Sequence, residues 1–286
     1  MKQKRRKVEL VVISDIHLGT YGCHAAELNK YLKSINPKTL ILNGDIIDFW
    51  QFSKRYWPKS HMKVVKQIIN MASKGSKIIY LTGNHDETLR KFEGTKMGNF
   101  RILNQYVKDL DGKKVWFFHG DIFDVTMQYS KWLAKIGAVS YDTLILINTI
   151  VNNISEFFGR GKISLSKKIK DNVKSAVAFI NSFEQTAADL GIQKGYDYIV
   201  CGHIHHPEDR IIEGRKNGNI RYLNSGDWVE NLTSLEYNKG EWAIYNYFSD
   251  SKVVDKEIVP FAEEDFDLGD LDNKELFNKM LLEFRK

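Results

Sequence analysis

Residues 40–48 read Leu40-Ile41-Leu42-Asn43-Gly44-Asp45-Ile46-Ile47-Asp48. The aliphatic run Leu40–Leu42 has no polar break, as expected of a strand buried on both faces of a sheet. Asp45 then stands at the exit of that strand, after a glycine that leaves room beside it. In open α/β sheets ligands gather outside the carboxyl ends of the strands. A carboxylate in that position is costly to desolvate without a positive partner, so the chain on either side must supply one.

Outward from this stretch the same transition recurs. Val8–Ile13 is an apolar run broken only by Glu9, and it ends in Ser14-Asp15-Ile16-His17-Leu18-Gly19. Lys77–Leu81 ends in Thr82-Gly83-Asn84-His85-Asp86, and Lys114–Phe118 ends in His119-Gly120-Asp121. Tyr198–Cys201 ends in Gly202-His203-Ile204-His205-His206-Pro207. Between the first strands, Leu28, Tyr31, Leu32 and Ile35 predict a helix over 23–35 that Asn36-Pro37 stops, and Val64, Val65, Ile68, Ile69 and Ala72 predict a second, closed by Gly75. Leu103–Leu110 and Lys114–Phe118 read as strands joined by an Asp111-Gly112 turn. Ile220–Leu223 leads to Asn224-Ser225-Gly226-Asp227. Leu232–Glu236, Trp242–Phe248 and Lys252–Val259 read as alternating strands of a second sheet.

From Val125 to about Gly191 the strand signal is replaced by helical periodicity: Ile136, Val139, Leu144, Ile147, Ile150, Ile154 and Phe157 share one face, and Val173, Val177, Ile180, Phe183, Ala187 and Leu190 share another. Between them lies a basic turn with Arg160, Lys162, Lys167, Lys168, Lys170 and Lys174. This reads as a helical cap over the sheet edge. The expected organisation is a core over 1–124, a cap insertion over 125–191, a second part of the core over 192–262, and an acidic tail over 263–286. The fold class is α/β.

The 286 residues are 43% hydrophobic and 27% charged, enough for one large core with an insertion. No run approaches the ~18 apolar residues that span a bilayer. The basic start, Lys2 to Lys7, runs directly into a strand, so no secretory leader is expected. Cys23 and Cys201 make no disulfide framework, and a cytoplasmic protein is expected. The net charge of +6 is concentrated at the N-terminus and over 160–174. Such patches can meet phosphates or an anionic membrane surface. No single long basic groove signature appears, so nucleic acid is not the expected partner. The sequence fixes no oligomeric state.

The strand ends bring together Asp15 and His17, Asp45, Asn84 and His85, His119, and His203 and His205. Any one alone would be a hydrogen-bonded structural residue. Asp-x-His and His-x-His place two donors on one side of an extended chain, which suits chelation. Mixed carboxylate, imidazole and amide oxygen donors suit manganese, iron or zinc, and the lack of cysteine ligands argues against structural zinc. Together Asp15-x-His17, Gly44-Asp45-x-x-Asp48, Gly83-Asn84-His85-Asp86, His119-Gly120-Asp121 and Gly202-His203-x-His205 resemble the five signatures of calcineurin-like metallophosphoesterases, in order and spacing. The resemblance implies an αββα sandwich of two mixed sheets flanked by helices. It implies two divalent metals, manganese expected: one held by Asp15, His17, Asp45 and His205, the other by Asp45, Asn84, His119 and His203. It further implies attack on phosphorus by a metal-bridging hydroxide, with His85 protonating the leaving oxygen or stabilising its charge, oriented by Asp86. Asp48, Asp86 and Asp121 are read as supporting or turn residues rather than ligands.

The cap, its basic turn and the Asn224-to-Trp228 segment resemble the UDP-2,3-diacylglucosamine pyrophosphatase branch, whose lipid-linked nucleotide substrate is split into UMP and a lipid sugar 1-phosphate in lipid A synthesis at the cytoplasmic face of the inner membrane. On that resemblance Asn84, His85, His203, Arg160, Lys167, Lys170 and Lys174 are candidate substrate contacts, the cap residues by charge only. The aromatic and basic loop Trp50–Trp57 and the basic start suit peripheral membrane contact. The best-known enzymes of the branch carry Arg where this chain has His85. A histidine there also serves alkoxide leaving groups, which keeps a phosphodiesterase acting on a soluble substrate or nucleic acid as the alternative.

Overall fold

The computed structural model describes residues 5–51, 56–123 and 166–250, with backbone alone over 166–178. In chain order the elements are β1 (Arg6–Ile13), α1 (Ala25–Ser34), β2 (Ile35–Asn43), α2 (Lys59–Ser73), β3 (Lys77–Leu81), β4 (Lys96–Met97), β5 (Phe100–Leu103), β6 (Gln105–Leu110), β7 (Lys113–Phe118), α3 (Ser166–Gln193), β8 (Tyr198–Cys201), β9 (Glu208–Glu213), β10 (Asn219–Asn224), β11 (Thr233–Asn238) and β12 (Glu241–Asn246). They form a seven-stranded sheet in the order β12-β11-β1-β2-β3-β5-β4 and a five-stranded sheet in the order β6-β7-β8-β10-β9. Both are mixed. β1, β2, β3 and β5 run parallel, and so do β7, β8 and β10.

Period-two alternation builds the layers. On β1, Val11 and Ile13 face α1 and α2, while Leu10 and Val12 face the second sheet; on β2, Leu40 and Leu42 divide from Ile41 in the same way. Between the sheets Leu10, Val12, Ile41, Ile79 and Leu81 meet Val115, Phe117, Val200 and Leu223. Trp116, Phe118, Ile199 and Cys201 point the other way, toward Phe183, Ala187 and Ala188 of α3. The result is the αββα sandwich, one apolar cluster per interface.

Two details differ from the sequence reading. The run Leu103–Leu110 is two strands: β5 closes in the first sheet, Asn104 accepts from the Thr82 hydroxyl at 2.8 Å, and β6 opens the second sheet. β11 and β12 belong to the first sheet, because β11 pairs antiparallel with β1 and β12 follows it by a hairpin. Lys252–Val259, the acidic tail over 263–286 and most of the expected cap lie outside the described residues. Of the cap, α3 is described, and its latter half forms the outer layer on the second sheet, with Phe183, Ala187 and Ala188 fully buried. No helix among the described residues is long and apolar enough to cross a membrane.

Candidate metal centre

All of the expected ligands sit at carboxyl ends of parallel strands. Asp15 and His17 follow β1, Asp45 follows β2, Asn84 follows β3, His119 follows β7, and His203 and His205 follow β8. The two sheets pack so that these ends share one rim. Asp15, His17 and His205 offer ligand atoms all within 4.8 Å of one another, and so do Asp45, His119 and His203.

The backbone is strained where the ligands are. Asp15, His17, Asp45, His203 and His205 all have positive φ, between 51° and 68°. Residues with a Cβ rarely adopt that region, at a cost of ~1–3 kcal/mol each, and persist there when surrounding structure demands it. Turning the chain there aims consecutive side chains inward. Close backbone approach is the second device. A Cβ on Gly44 would lie 2.3 Å from His119 Nδ1, and one on Gly83 would lie 2.2 Å from Asp45 Oδ1. The room beside Gly44 therefore belongs to His119, and the glycine that makes room for Asp45 is Gly83, from the neighbouring strand.

The side chains point at common centres and not at one another. Asp15 Oδ1, His17 Nε2, Asn84 Oδ1 and His119 Nε2 are buried without a hydrogen-bond partner. His119 Nε2 is 3.1 Å from Asp45 Oδ2 and His205 Nε2 is 3.2 Å from Asp15 Oδ1, yet neither His119 Nε2 nor Asp15 Oδ1 makes a hydrogen bond. Orphaned buried polar atoms are rare in folded proteins. In His119, His17 and His205 the other ring nitrogen faces an acceptor. His119 Nδ1–H donates to the Asn43 carbonyl at 2.9 Å; a carbonyl only accepts, so Nδ1 carries a proton and Nε2 is the nitrogen left for a cation. His17 Nδ1 lies 3.4 Å from Asp48 Oδ2, and His205 Nδ1 lies 3.9 Å from Asp227 Oδ2. This is how metal-binding imidazoles are oriented. The donor set and its orphaned atoms fit divalent cations.

The carboxylates are ionised. Burial pushes Asp15 up, but the charges of His205 and His119 outweigh it and hold the carboxyl down to about 2. Burial likewise opposes ionisation of Asp45, and the charges of His119, His17 and His85 hold it below the usual carboxylate range. His205 is pushed down by burial and raised further by Asp15, to about 9. Without cations the imidazoles neutralise the carboxylates. Divalent ions would displace those protons.

His85 stands beside this cluster, its ring edge-on to His17 at 4.6 Å. Its Nδ1 lies 2.8 Å from Asp48 Oδ2. Burial lowers the His85 pKa, but the hydrogen bond to Asp48 and the charges of Asp45 and Asp48 raise it overall. The orienting carboxylate is thus Asp48, where the sequence reading expected Asp86. Asp86 is fully buried and committed elsewhere: it accepts from the Tyr80 hydroxyl at 2.6 Å, from Gly83 N–H at 2.6 Å and from Ile46 N–H at 2.9 Å. It stitches the Asp45 loop to the Asn84 loop. Asp121 pairs with Arg90. The signal for Asp48 was its spacing from Asp45, which returns the chain to the same rim. Asp227 was a second residue without an assigned role. Its Oδ1 accepts from Val229, Glu230 and Asn231 N–H groups, fixing the turn behind His205. Arg160 lies outside the described residues, and Lys167, Lys170 and Lys174 lie on the part of α3 whose side chains are outside them as well.

The model of the calcineurin-like phosphoesterase family matches residues 8–207. A UDP-2,3-diacylglucosamine hydrolase of Aliivibrio fischeri (strain MJ11) is 23% identical over 82% of this chain and 97% of its own length. One of Blochmanniella pennsylvanica (strain BPEN) is 26% identical over 81% of this chain and 93% of its own. Among solved structures, the E. coli phosphoesterase Yfce is 15% identical with a TM-score of 0.42, covering 83% of this chain and 92% of that one.

Proposed function

The chain belongs to the calcineurin-like phosphoesterase family and is a hydrolase, and on that premise we propose that it cleaves the diphosphate of UDP-2,3-diacylglucosamine, or a close lipid-linked relative, to UMP and a lipid sugar 1-phosphate in lipid A synthesis. The observation that carries this substrate is the likeness to hydrolases of that name over 97% of the length of one and 93% of another.

One cation would be held by Asp15, His17, Asp45 and His205 and another by Asp45, Asn84, His119 and His203, with manganese the expected ion. When bound, such a pair neutralises phosphoryl charge and acidifies water. The chain's own residues do the rest. The His85 backbone N–H donates to Asp45 Oδ1 at 2.8 Å and Asp86 ties both loops together, which would hold the shared carboxylate between the two donor clusters. Asp48 takes His85 by Nδ1, which leaves Nε2 to hold a proton for the departing oxygen. Asp86 then acts by fixing loops and not by touching His85. We assign Asn84, His85 and His203 to the phosphoryl group, and Arg160, Lys167, Lys170 and Lys174, by charge, to the second phosphate.

The enzyme would work as a peripheral protein at the cytoplasmic face of the inner membrane. Exposed Tyr21, Trp50 and Met62 near the rim, with Lys59 and Lys63 exposed beside them, support contact with anionic lipid. The His85–Asp48 pair also favours a second reading, a phosphodiesterase with an alkoxide leaving group, since such a group needs the proton that a phosphate does not. Incubation of manganese-loaded protein with UDP-2,3-diacylglucosamine tests the first reading. UMP should appear and should be lost in Asp45→Ala. If wild type turns over a generic aryl phosphodiester but releases no UMP, the second reading replaces the first.

A further inference from the structure

Trp50 is a large aromatic residue left 45% exposed at the edge of the site, and it is held there rigidly. Its backbone N–H donates to Asp48 Oδ1 at 3.0 Å, as does the backbone N–H of Gln51 at 2.9 Å. The preceding Phe49, itself 37% exposed, donates its N–H to the His85 carbonyl at 3.0 Å. The turn is thus fastened to both members of the His85–Asp48 pair. The indole lies against the His85 imidazole, centroids 4.2 Å apart and planes tilted by 36°. It takes no part in the apolar core that Trp57, seven residues on, packs against. A fixed, half-exposed indole is a binding surface whose ordering cost is already met by the fold.

We infer that Trp50 is a specificity-determining residue that receives the flat apolar face of a ring carried on the leaving group, an aromatic ring or a pyranose. The inference rests on the reading of His85 as the group that meets the departing oxygen. Nδ1 of His85 is taken by Asp48, so the departing oxygen meets the Nε2 edge. Two rings lie against His85: His17 is buried in the donor cluster, and Trp50 is on the exposed side, where the atoms next to that oxygen would pass. Asp48 sets both parts at once, Oδ2 fixing the imidazole and Oδ1 fixing the turn that carries the indole.

The test measures binding of methyl phosphate, phenyl phosphate and N-acetylglucosamine 1-phosphate to manganese-loaded wild type, Trp50→Ala and Trp50→Phe by calorimetry. Proton spectra of bound phenyl phosphate are recorded alongside, since an indole over its ring shifts the ring protons upfield. In Trp50→Ala phenyl phosphate should weaken about ten-fold and lose the upfield shift, as stacking on an aromatic side chain implies. Methyl phosphate should bind as before, and Trp50→Phe should keep most of the affinity. Weakening of phenyl phosphate alone assigns the surface to aromatic rings; parallel weakening of the sugar phosphate extends it to pyranoses. An unchanged preference for phenyl over methyl phosphate in Trp50→Ala overturns the inference, and so does equal weakening of all three. Wild type that hydrolyses an aryl phosphodiester yet shows no ring preference overturns this inference alone. Wild type that binds none of the three overturns it together with the phosphoesterase reading.

Discussion

Gly83→Ala is the smallest change that tests the shared role of Asp45. Gly83 sits in ordinary backbone geometry, so the added methyl brings no φ penalty and acts by contact alone. Its Cβ would lie 2.2 Å from Asp45 Oδ1, 2.7 Å from the Asp45 backbone nitrogen and 2.8 Å from His119 Cδ2. Non-bonded atoms settle at about 3.4 Å or more, so the Asp45 carboxylate must retreat by about 1 Å. A rotamer change cannot provide this, because the backbone nitrogen is crowded too and the imidazole is tethered to Asn43. Overpacking of this kind costs ~1–3 kcal/mol of stability, and a displacement of about 1 Å at a positioned group costs ~100-fold in function. Manganese titration by calorimetry should show both sites weakened, by about 100-fold each on that estimate, while melting in chelator should show only the modest stability loss. If either site keeps its wild-type affinity, Asp45 is not common to both and the assignment of ligands is wrong.

Metal content should separate the ligands: Asp45→Ala should lose both ions in elemental analysis after gel filtration, while His119→Ala or His17→Ala should retain one, and loss of a single ion from Asp45→Ala would contradict the bridging role. Asp48→Asn should lower turnover of an aryl phosphodiester by about 10- to 100-fold, as loss of an orienting partner does, and wild-type turnover in that variant would remove Asp48 from the mechanism. Because the ligand atoms are orphaned and strained without cations, manganese at 100 times its Kd should raise stability by ~2.7 kcal/mol per site; a melting temperature indifferent to manganese would refute this. Tyr80→Phe removes one of the hydrogen bonds to Asp86 and should cost about 1 kcal/mol in denaturant unfolding, with metal affinity unchanged because two N–H donors still hold the carboxylate.

Much of the fold was legible in the sequence because strand burial imposes a pattern on it. Runs such as Leu40–Leu42 and Lys77–Leu81 announce strands buried on both faces, and the polar residues that follow each run mark the carboxyl ends where the site lies. What was misplaced depended on partners distant in the chain. Thr233–Asn238 looks like any half-buried strand, and only its pairing with β1 assigns it to the first sheet. The break falls at the polar pair Asn104-Gln105, which carries neither glycine nor proline to mark a turn, so one run served two sheets.

The sequence by itself determined the chemistry: seven donors of mixed type, each one or a few residues past the end of a buried strand. Those are local facts, fixed by residue type and period. Only the tertiary structure decided who holds whom. Two carboxylates, Asp48 and Asp86, lie three and one residues beyond Asp45 and His85, and spacing alone does not rank them as partners of His85. Packing β2 beside β3 brings Asp48 to the imidazole and buries Asp86 under Tyr80, where two backbone N–H groups and a phenol satisfy it. The same packing puts Gly83 against Asp45, and the stacking of the second sheet on the first puts His119 against Gly44, contacts between strands that chain order cannot encode. Asp45, the carboxylate first noticed for its position at a strand exit, is buried beside His119 and His203, and it is the group proposed to be common to both donor clusters.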